Sequence, residues 1–458
     1  MIENDAFKLL LINLFHLNPD DIANIFCTTF NKMMVLLVTL ADKHQACPYC
    51  GFTAPKIKEY VTKEITHSAL TTQKCIIKYR ARRYKCLCCG KTYYEFNPFV
   101  FKSQKISILT VHNILKDLKD FNETFTSVAR RYHVSPTSVS TIFDNHVDIG
   151  RNPLPEIINF DEVYAFKSEK SKYVCVLLDF KKQIPVDVLP NRKKEYLLNY
   201  FQKIPLEERK KVKYACSDMY EVYRDVVHKV FPCSCMLLDY FHLSQDFHRK
   251  MNEVRIKVMK GYKDDKASDE YYLLKKFNWL LFKNPEDEDK YGRLFDVERE
   301  RKYNSHFKSY MNYYDLRRKL LEINNDLTIC YSLKLELVDF YSKSTIDNAQ
   351  VNLEHLIRNC IDTNIEEMIA FSNNLINWKQ EIINSFTIVG TEYKVEADKG
   401  QVVVCNKKVN NAIIENRNKI IKCIKNNANG YTNWSRFRNR VMYVLDPNTT
   451  FSLEPREK

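Results

Sequence analysis

The chain has 458 residues, 45% of them hydrophobic, and 71 lysines and arginines against 57 acids give it a formal net charge of +14. That length suffices for about two to four domains with a core that needs no disulfide support, and no apolar run approaches the roughly 20 residues of a membrane span. The basic excess points to a polyanionic partner, nucleic acid above all, although an acidic membrane surface would also suit it.

Glu3 and Asp5 stand where a signal peptide would be basic, so a soluble intracellular protein is expected. In that reducing setting the 15 cysteines are read as thiols and metal ligands rather than as disulfides. Residues 1–43 carry a short apolar helix and then a strand, Met33 to Leu40, that leads into CPYCG. The pair Cys47-x-x-Cys50 is answered by Cys86-x-x-Cys89 in RRYKCLCCGKTYYEF, across a strand-like stretch from Lys74 to Tyr84. Two such knuckles offer four thiolates from two tight turns, the ligand set of tetrahedral structural Zn²⁺, so a zinc ribbon is expected over 44–98. Cys88 is the alternative fourth ligand. The GKT at 90–92 is no phosphate loop, because Lys85 stands where its first glycine must be.

Over 104–150 the pattern turns helical, and FTSVARRYHVSPTSVSTIF, 125–143, has the form of a helix-turn-helix. Val128, Ala129 and Tyr132 pack the first helix, Val134 and Ser135 make the turn, and Pro136 takes the favoured first position of the second helix. The exposed side of that second helix would carry Thr137, Ser138 and Ser140 toward a major groove, with Arg130 and Arg131 near phosphates.

Asn152-Pro153 and Pro155 mark a linker, after which 155–245 changes period. EIINFDEVYAF, SKYVCVLLDF and QIPVDVLP read as an antiparallel meander. A basic helix from Lys193 to Lys203, the strand VKYACSDMY, a helix from Glu221 to Val230 and a fifth strand, SCMLLDYFHL, follow. The order βββαβαβ is that of an RNase H-like fold with a mixed sheet. Its first and fourth strands lie side by side, which would bring Asp161 and Asp218 together at their ends. Residues 246–400 form a long all-helical insertion whose aromatics are core, closing with a hairpin in TEYKVEADKGQVVVCNKK. Residues 401–446 return to the same domain. On their helix Ile413, Ile420 and Ile424 form one stripe, while Asn411, Glu415, Asn418, Lys419 and Lys422 gather on the other side. Taken alone, that polar side is a solvated face with a Glu415–Lys419 ion pair. Acids on two neighbouring strands and a late helix are also what two-metal phosphoryl chemistry requires, since two Mg²⁺ ions about 4 Å apart need several anionic oxygens.

Over nearly its whole length the sequence resembles the ISL3 family of insertion-sequence transposases. The likeness rests on CPYCG with RRYKCLCC, on the helix-turn-helix, on INFDE, CSDMYEVY, DYFHL and FNWLLFKNPED, and on Asn411, Glu415, Asn418, Ile421 and Lys422. It implies a DDE triad of Asp161, Asp218 and Glu415 holding two Mg²⁺ or Mn²⁺ ions, with Asp239 and His242 as an accessory DxxH motif. It further implies that the protein binds double-stranded DNA at terminal inverted repeats, cuts it, and joins the freed 3′-hydroxyl to target DNA. A homodimer or larger oligomer on DNA, a cytoplasmic, nucleoid-associated location in a bacterium, and no small-molecule substrate belong to the same expectation. Asn411, Asn418, Lys419 and Lys422 would then face DNA, as would Trp434 and Arg438 in GYTNWSRFRNR. The chain departs from the family pattern at Ala412 and Asn416, where glycines are usual, at Tyr240 in place of an arginine, and at Asn426 in a stretch that is usually more basic. A DNA-binding regulator derived from a transposase and a structure-specific nuclease are the alternative functions.

Overall fold

The computed structural model describes residues 2–43, 45–70, 72–101, 104–166, 171–395 and 402–456. At the N-terminus a helix, α1 (Ile2–Leu14), lies against one five-stranded sheet built from β1 (Ile22–Phe30), β2 (Met33–Leu40), β3 (Lys56–Thr66), β4 (Cys75–Lys85) and β5 (Thr92–Tyr94). The order is β1-β2-β4-β3, with β5 also on β4, and β2 runs parallel to β4. β1 was not expected, although IANIFCTTF is rich in the β-branched and aromatic residues that strands favour. Leu11, Ile12 and Phe15 cover an inner face made by Ile22, Ile25, Leu36, Val38 and Ile77. The strands of 22–40 and of the ribbon therefore share one core.

The helix-turn-helix forms as expected from α2 (Ile108–Asp117), α3 (Phe125–Arg131) and α4 (Pro136–His146). Thr124 and Ser127 make a capping box at α3, and Ser135 caps α4 ahead of Pro136. Val128, Ala129, Tyr132, Val139 and Phe143 are buried in a core that also takes in Tyr443 from the last helix, Trp434–Leu445. The buried Arg440 of that helix donates to the carbonyls of Asp120 and Glu123, each at 2.8 Å, and the Tyr443 hydroxyl donates to that of Leu115 at 3.0 Å. Buried charge-assisted bonds of this kind fix orientation, so the bundle is clamped to the C-terminal helix.

The central sheet comprises β6 (Ile157–Val163), β7 (Val174–Asp179), β8 (Ile184–Leu189), β9 (Tyr214–Ser217) and β10 (Cys235–Leu238), in the order β10-β9-β6-β7-β8. β6, β7 and β8 are the expected antiparallel meander, and β9 runs parallel to both β6 and β10. On one face α5 (Lys194–Gln202), the short α6 (Leu206–Arg209) and α7 (Glu221–Val230) surround a core that includes Phe160, Leu177, Phe201 and Tyr223. The other face is covered by the Glu415 helix (Ala412–Asn427) and the last helix, which bury Ile414, Ile421, Phe437 and Val441 against Val163, Val176 and Val188.

Two expectations need correction. The fifth strand ends at Leu238, and Asp239 is the N-cap of α8 (Tyr240–Lys260), so the helical insertion begins before residue 246. Leu243, Phe247, Met251 and Val254 are buried at helical spacing, and that periodicity overrides a strand for DYFHL. The insertion is also not all-helical. Among its helices lie two small hairpins, Glu288–Asp289 with Gly292–Arg293 and Lys302–Asn304 with Ser309–Met311. Gly292, which opens the second strand of the first hairpin, and Lys308, in the turn of the second, have left-handed backbone. Leu280, Phe340, Phe371 and Trp378 fill the insertion's own core. The closing hairpin pairs Ile388–Val395 with Val402–Lys408, and its turn lies outside the described residues. Among the described residues no helix is long and apolar enough to cross a membrane.

Candidate active site

Asp161 is the fifth of seven residues of β6, not its end, and Asp218 directly follows β9, which pairs with β6 from Ile157↔Tyr214 to Asn159↔Cys216. Strand alternation sends Asn159 and Asp161 to the face covered by the Glu415 helix. There Asn418 donates to Asp161 Oδ2 at 2.7 Å, and Asn159 donates to Asn411 Oδ1 at 2.7 Å. The backbone N–H of Asn411 donates to Asp239 Oδ1 at 3.2 Å. His242, in the first turn of α8, presents Nε2 at 3.9 Å from Asp239 Oδ2 and 3.8 Å from Glu415 Oε1. One donor atom each from Asp239, His242 and Glu415 lie within 4.8 Å of one another.

Burial drives the electrostatics. It lifts the Asp161 carboxyl to about 7, with Asp218 and Glu162 adding to the effect, and it lifts Asp218 to about 7, with Glu162 adding. Asp239 is raised as well, again mainly by burial. Asp218 Oδ1, Asp239 Oδ2, Asn159 Oδ1, Asn418 Oδ1, His242 Nε2 and Asn411 Nδ2 are all buried without a hydrogen-bond partner. Buried polar atoms are ordinarily paired. An excess of oxygens beside raised carboxyls fits a hard divalent cation, so the donor set suits the Mg²⁺ or Mn²⁺ expected from the sequence.

Glu162, next to Asp161 in INFDE, points to the opposite face of β6. There it is ion-paired with Arg192 and accepts the Tyr223 hydroxyl at 3.1 Å. Arg192 lies over the rings of Tyr173 and Tyr220 at 4.5 and 4.8 Å. The adjacent acids of INFDE signal this separation, because strand alternation must send two neighbouring carboxylates to opposite faces.

Several residues expected to face DNA are engaged otherwise. Asn411 and Asn418 are buried against the carboxylates, because the helix turns its amide side inward rather than outward. Lys419 and Lys422 are exposed, and Lys419 reaches Asn416 Oδ1 at 3.4 Å while Glu415 meets His242, so the solvated Glu415–Lys419 pair does not form. Arg131 is held between Asp117 and Glu123. Arg438 is bonded to Asp187 at 2.7 Å, and Trp434 packs on Phe166 at 5.1 Å. Arg130 and Thr137 are exposed, whereas Ser138 contacts the capping hydroxyl of Ser135 and Ser140 donates to the Thr137 carbonyl.

At the knuckles, the sulfurs of Cys47 and Cys89 are 3.7 Å apart and those of Cys50 and Cys86 3.5 Å apart. Zn–S bonds of about 2.3 Å give tetrahedral edges of about 3.8 Å, so the four thiols fit zinc. Gly51 and Gly90 have φ of 74° and 69°, the left-handed backbone each knuckle turn needs. Cys88 is exposed and lies outside this group of four.

A family profile described as transposase, of the ISL3 type of DDE transposases, matches residues 158–397. The match takes in Asp161, Asp218, Asp239 and His242 and stops before Glu415, which the fold brings beside Asp239 and His242. The chain is also 20% identical over 409 residues to the transposase for insertion sequence element IS1001 of Bordetella parapertussis, covering 89% of this chain and 90% of that protein.

Two outcomes are expected. Purified protein should hold about one zinc per chain, and Cys86→Ser should release it and loosen the N-terminal sheet, while Cys88→Ser should leave zinc content unchanged. An unchanged zinc content in Cys86→Ser would contradict the ligand set. Without added divalent cation, the second outcome concerns pH. The folded values of Asp161 and Asp218 lie above the ordinary carboxylate value of about 4. The stability they contribute is therefore full below about pH 4 and lost as pH rises through about 7. Thermal denaturation should follow that decline, and Asp161→Asn should flatten it. A variant with the parent's pH slope would contradict the shared burial.

Proposed function

Because the chain belongs to the ISL3 family of DDE transposases, we propose that it binds the terminal inverted repeats of an insertion sequence and catalyses divalent-metal-dependent cleavage and joining of DNA strands there. What supports this reading is a buried cluster in which Asp218 Oδ1, Asp239 Oδ2 and His242 Nε2 have no hydrogen-bond partner, with Glu415 beside Asp239 and His242 and with Asp161 held by Asn418 of the Glu415 helix. The central sheet supports it too: numbered from its first strand, the order is 3-2-1-4-5 with the first three antiparallel, the arrangement of an RNase H-like domain.

Asp161, Asp218 and Glu415 are the ligands in this account. Divalent cations held among them would activate the attacking hydroxyl and stabilise the leaving oxygen. Asn418 orients Asp161 through its 2.7 Å bond, and the Asn411 amide does the same for Asp239. Lys419 and Lys422, exposed on the same helix, contact DNA phosphates close to the cut. Sequence is read by α4, where Thr137 is exposed, with Arg130 nearby on the backbone. Clamping of the bundle to the last helix by Arg440 and Tyr443 holds reading and cutting at a fixed separation. The zinc knuckles serve structure.

The test is Mg²⁺-dependent cleavage of a labelled duplex carrying the repeats that flank the gene, beside a gel shift on the same DNA. Glu415→Gln keeps size and hydrogen bonding but removes the charge. Cleavage should fall about a thousandfold or more, while end binding changes by less than about threefold. Lys419→Ala should retain the chemistry. Robust cleavage by Glu415→Gln would remove the glutamate from the site, and a parent protein that shifts the DNA without cutting it would be a binding protein instead.

A further inference from the structure

Among the described residues, the groups of histidine, cysteine and acid positioned to hold an ion are the four thiols and the trio Asp239, His242 and Glu415. The trio differs from the neighbouring aspartates in offering a nitrogen. Asp239 is 3% exposed, its Oδ1 is fixed by the Asn411 amide, and its Oδ2 has no partner. His242 Nε2 is likewise buried and unpartnered. It faces Asp239 Oδ2 and Glu415 Oε1 at 3.9 and 3.8 Å, too far for a hydrogen bond to either. Donors bonded to one ion at about 2.1–2.2 Å lie roughly 3.0 Å apart when adjacent and 4.3 Å when opposite. At most one pair can be opposite, so closing on one ion brings His242 Nε2 about 0.8 Å or more nearer to at least one carboxylate oxygen.

We infer that Asp239, His242 and Glu415 form a mixed nitrogen–oxygen cation site that selects a first-row transition ion such as Mn²⁺ over Mg²⁺. Mg²⁺ prefers an all-oxygen octahedral shell and gives up its waters reluctantly, whereas imidazole suits first-row transition ions, more strongly the later ones than Mn²⁺, which also takes carboxylates. Glu415 would be shared with the ion held beside Asp161 and Asp218, so the two positions within one cavity differ in metal preference. This inference rests on the cation-dependent reading of the cavity and adds the class of metal at one of its positions.

The experiment titrates full-length, zinc-loaded protein with Mn²⁺ and records electron spin echo modulation of the bound ion. Imidazole nitrogen modulation is expected in the parent and should vanish in His242→Gln. Mn²⁺ affinity should drop about tenfold in that variant, with Mg²⁺ affinity, measured by competition, changing less than about twofold. Zinc content and far-ultraviolet circular dichroism check that His242→Gln is folded. Should it fail to fold, Glu415→Gln, which keeps His242, serves instead: it should weaken Mn²⁺ binding while the nitrogen signal of the residual bound ion persists. Bound Mn²⁺ without nitrogen modulation in the parent would overturn the inference, and so would a nitrogen signal that survives in folded His242→Gln. The cleavage assay fails separately: Mn²⁺ bound through oxygens alone, with cleavage intact, sinks the nitrogen ligand and leaves the transposase reading standing. A parent that binds no Mn²⁺ and does not cleave sinks both.

Discussion

Carboxylates drawn out of water beside one another lose hydration and repel, and the cluster formed by β6, the residue after β9 and the start of α8 is organised around that opposition. Asn418 and the Asn411 amide donate to Asp161 and Asp239, and these bonds offset part of the unfavourable burial. They leave Asp218 Oδ1 and Asp239 Oδ2 without a donor. Such a site is relieved either by protonation, hence the Asp161 and Asp218 values near 7, or by a cation. Under the proposed function the second route would be the useful one, because an ion that satisfied these ligands could also act on a phosphodiester.

The same constraint explains how the fold tolerates so long an insertion. Asp161 and Asn418 are 257 residues apart in sequence yet share a hydrogen bond. The insertion leaves the central domain at Asp239 and returns at Asn411, and those two positions are themselves hydrogen-bonded. With both ends pinned at the site, the length between them adds little closure entropy, and the intervening helices are free to build their own core. The closing hairpin comes back against the sheet, where Val389 and Val409 pack near Ile157 and Leu237.

Much of this was legible in the sequence because it depends on local pattern. The cysteine spacing, the Ser135-Pro136 start of α4 and the alternation of the meander each announce their structure, and the order of strands implied that β6 and β9 would be neighbours. What was not legible depends on where a side chain points after folding. Asn411 and Asn418 share a helix side with Lys419 and Lys422, and nothing in the sequence says that the amides turn inward while the lysines stay in solvent. Arg131 and Arg438 read as DNA contacts until their acidic partners, Asp117 with Glu123 and Asp187, arrive from other elements. Asp239 and His242 looked like the tail of a strand because MLLDYF is apolar. The helix over Tyr240–Lys260 reveals itself only through the spacing of Leu243, Phe247 and Met251 further on.

Whether these carboxylates hold divalent cations is read most directly from a crystal of the protein soaked in Mn²⁺, with diffraction recorded at the manganese absorption edge. The account predicts anomalous density among Asp161, Asp218, Asp239, His242 and Glu415, distinct from zinc at the four cysteines. A well-ordered cavity with no manganese signal, its carboxyl groups instead paired by protonation, would contradict it.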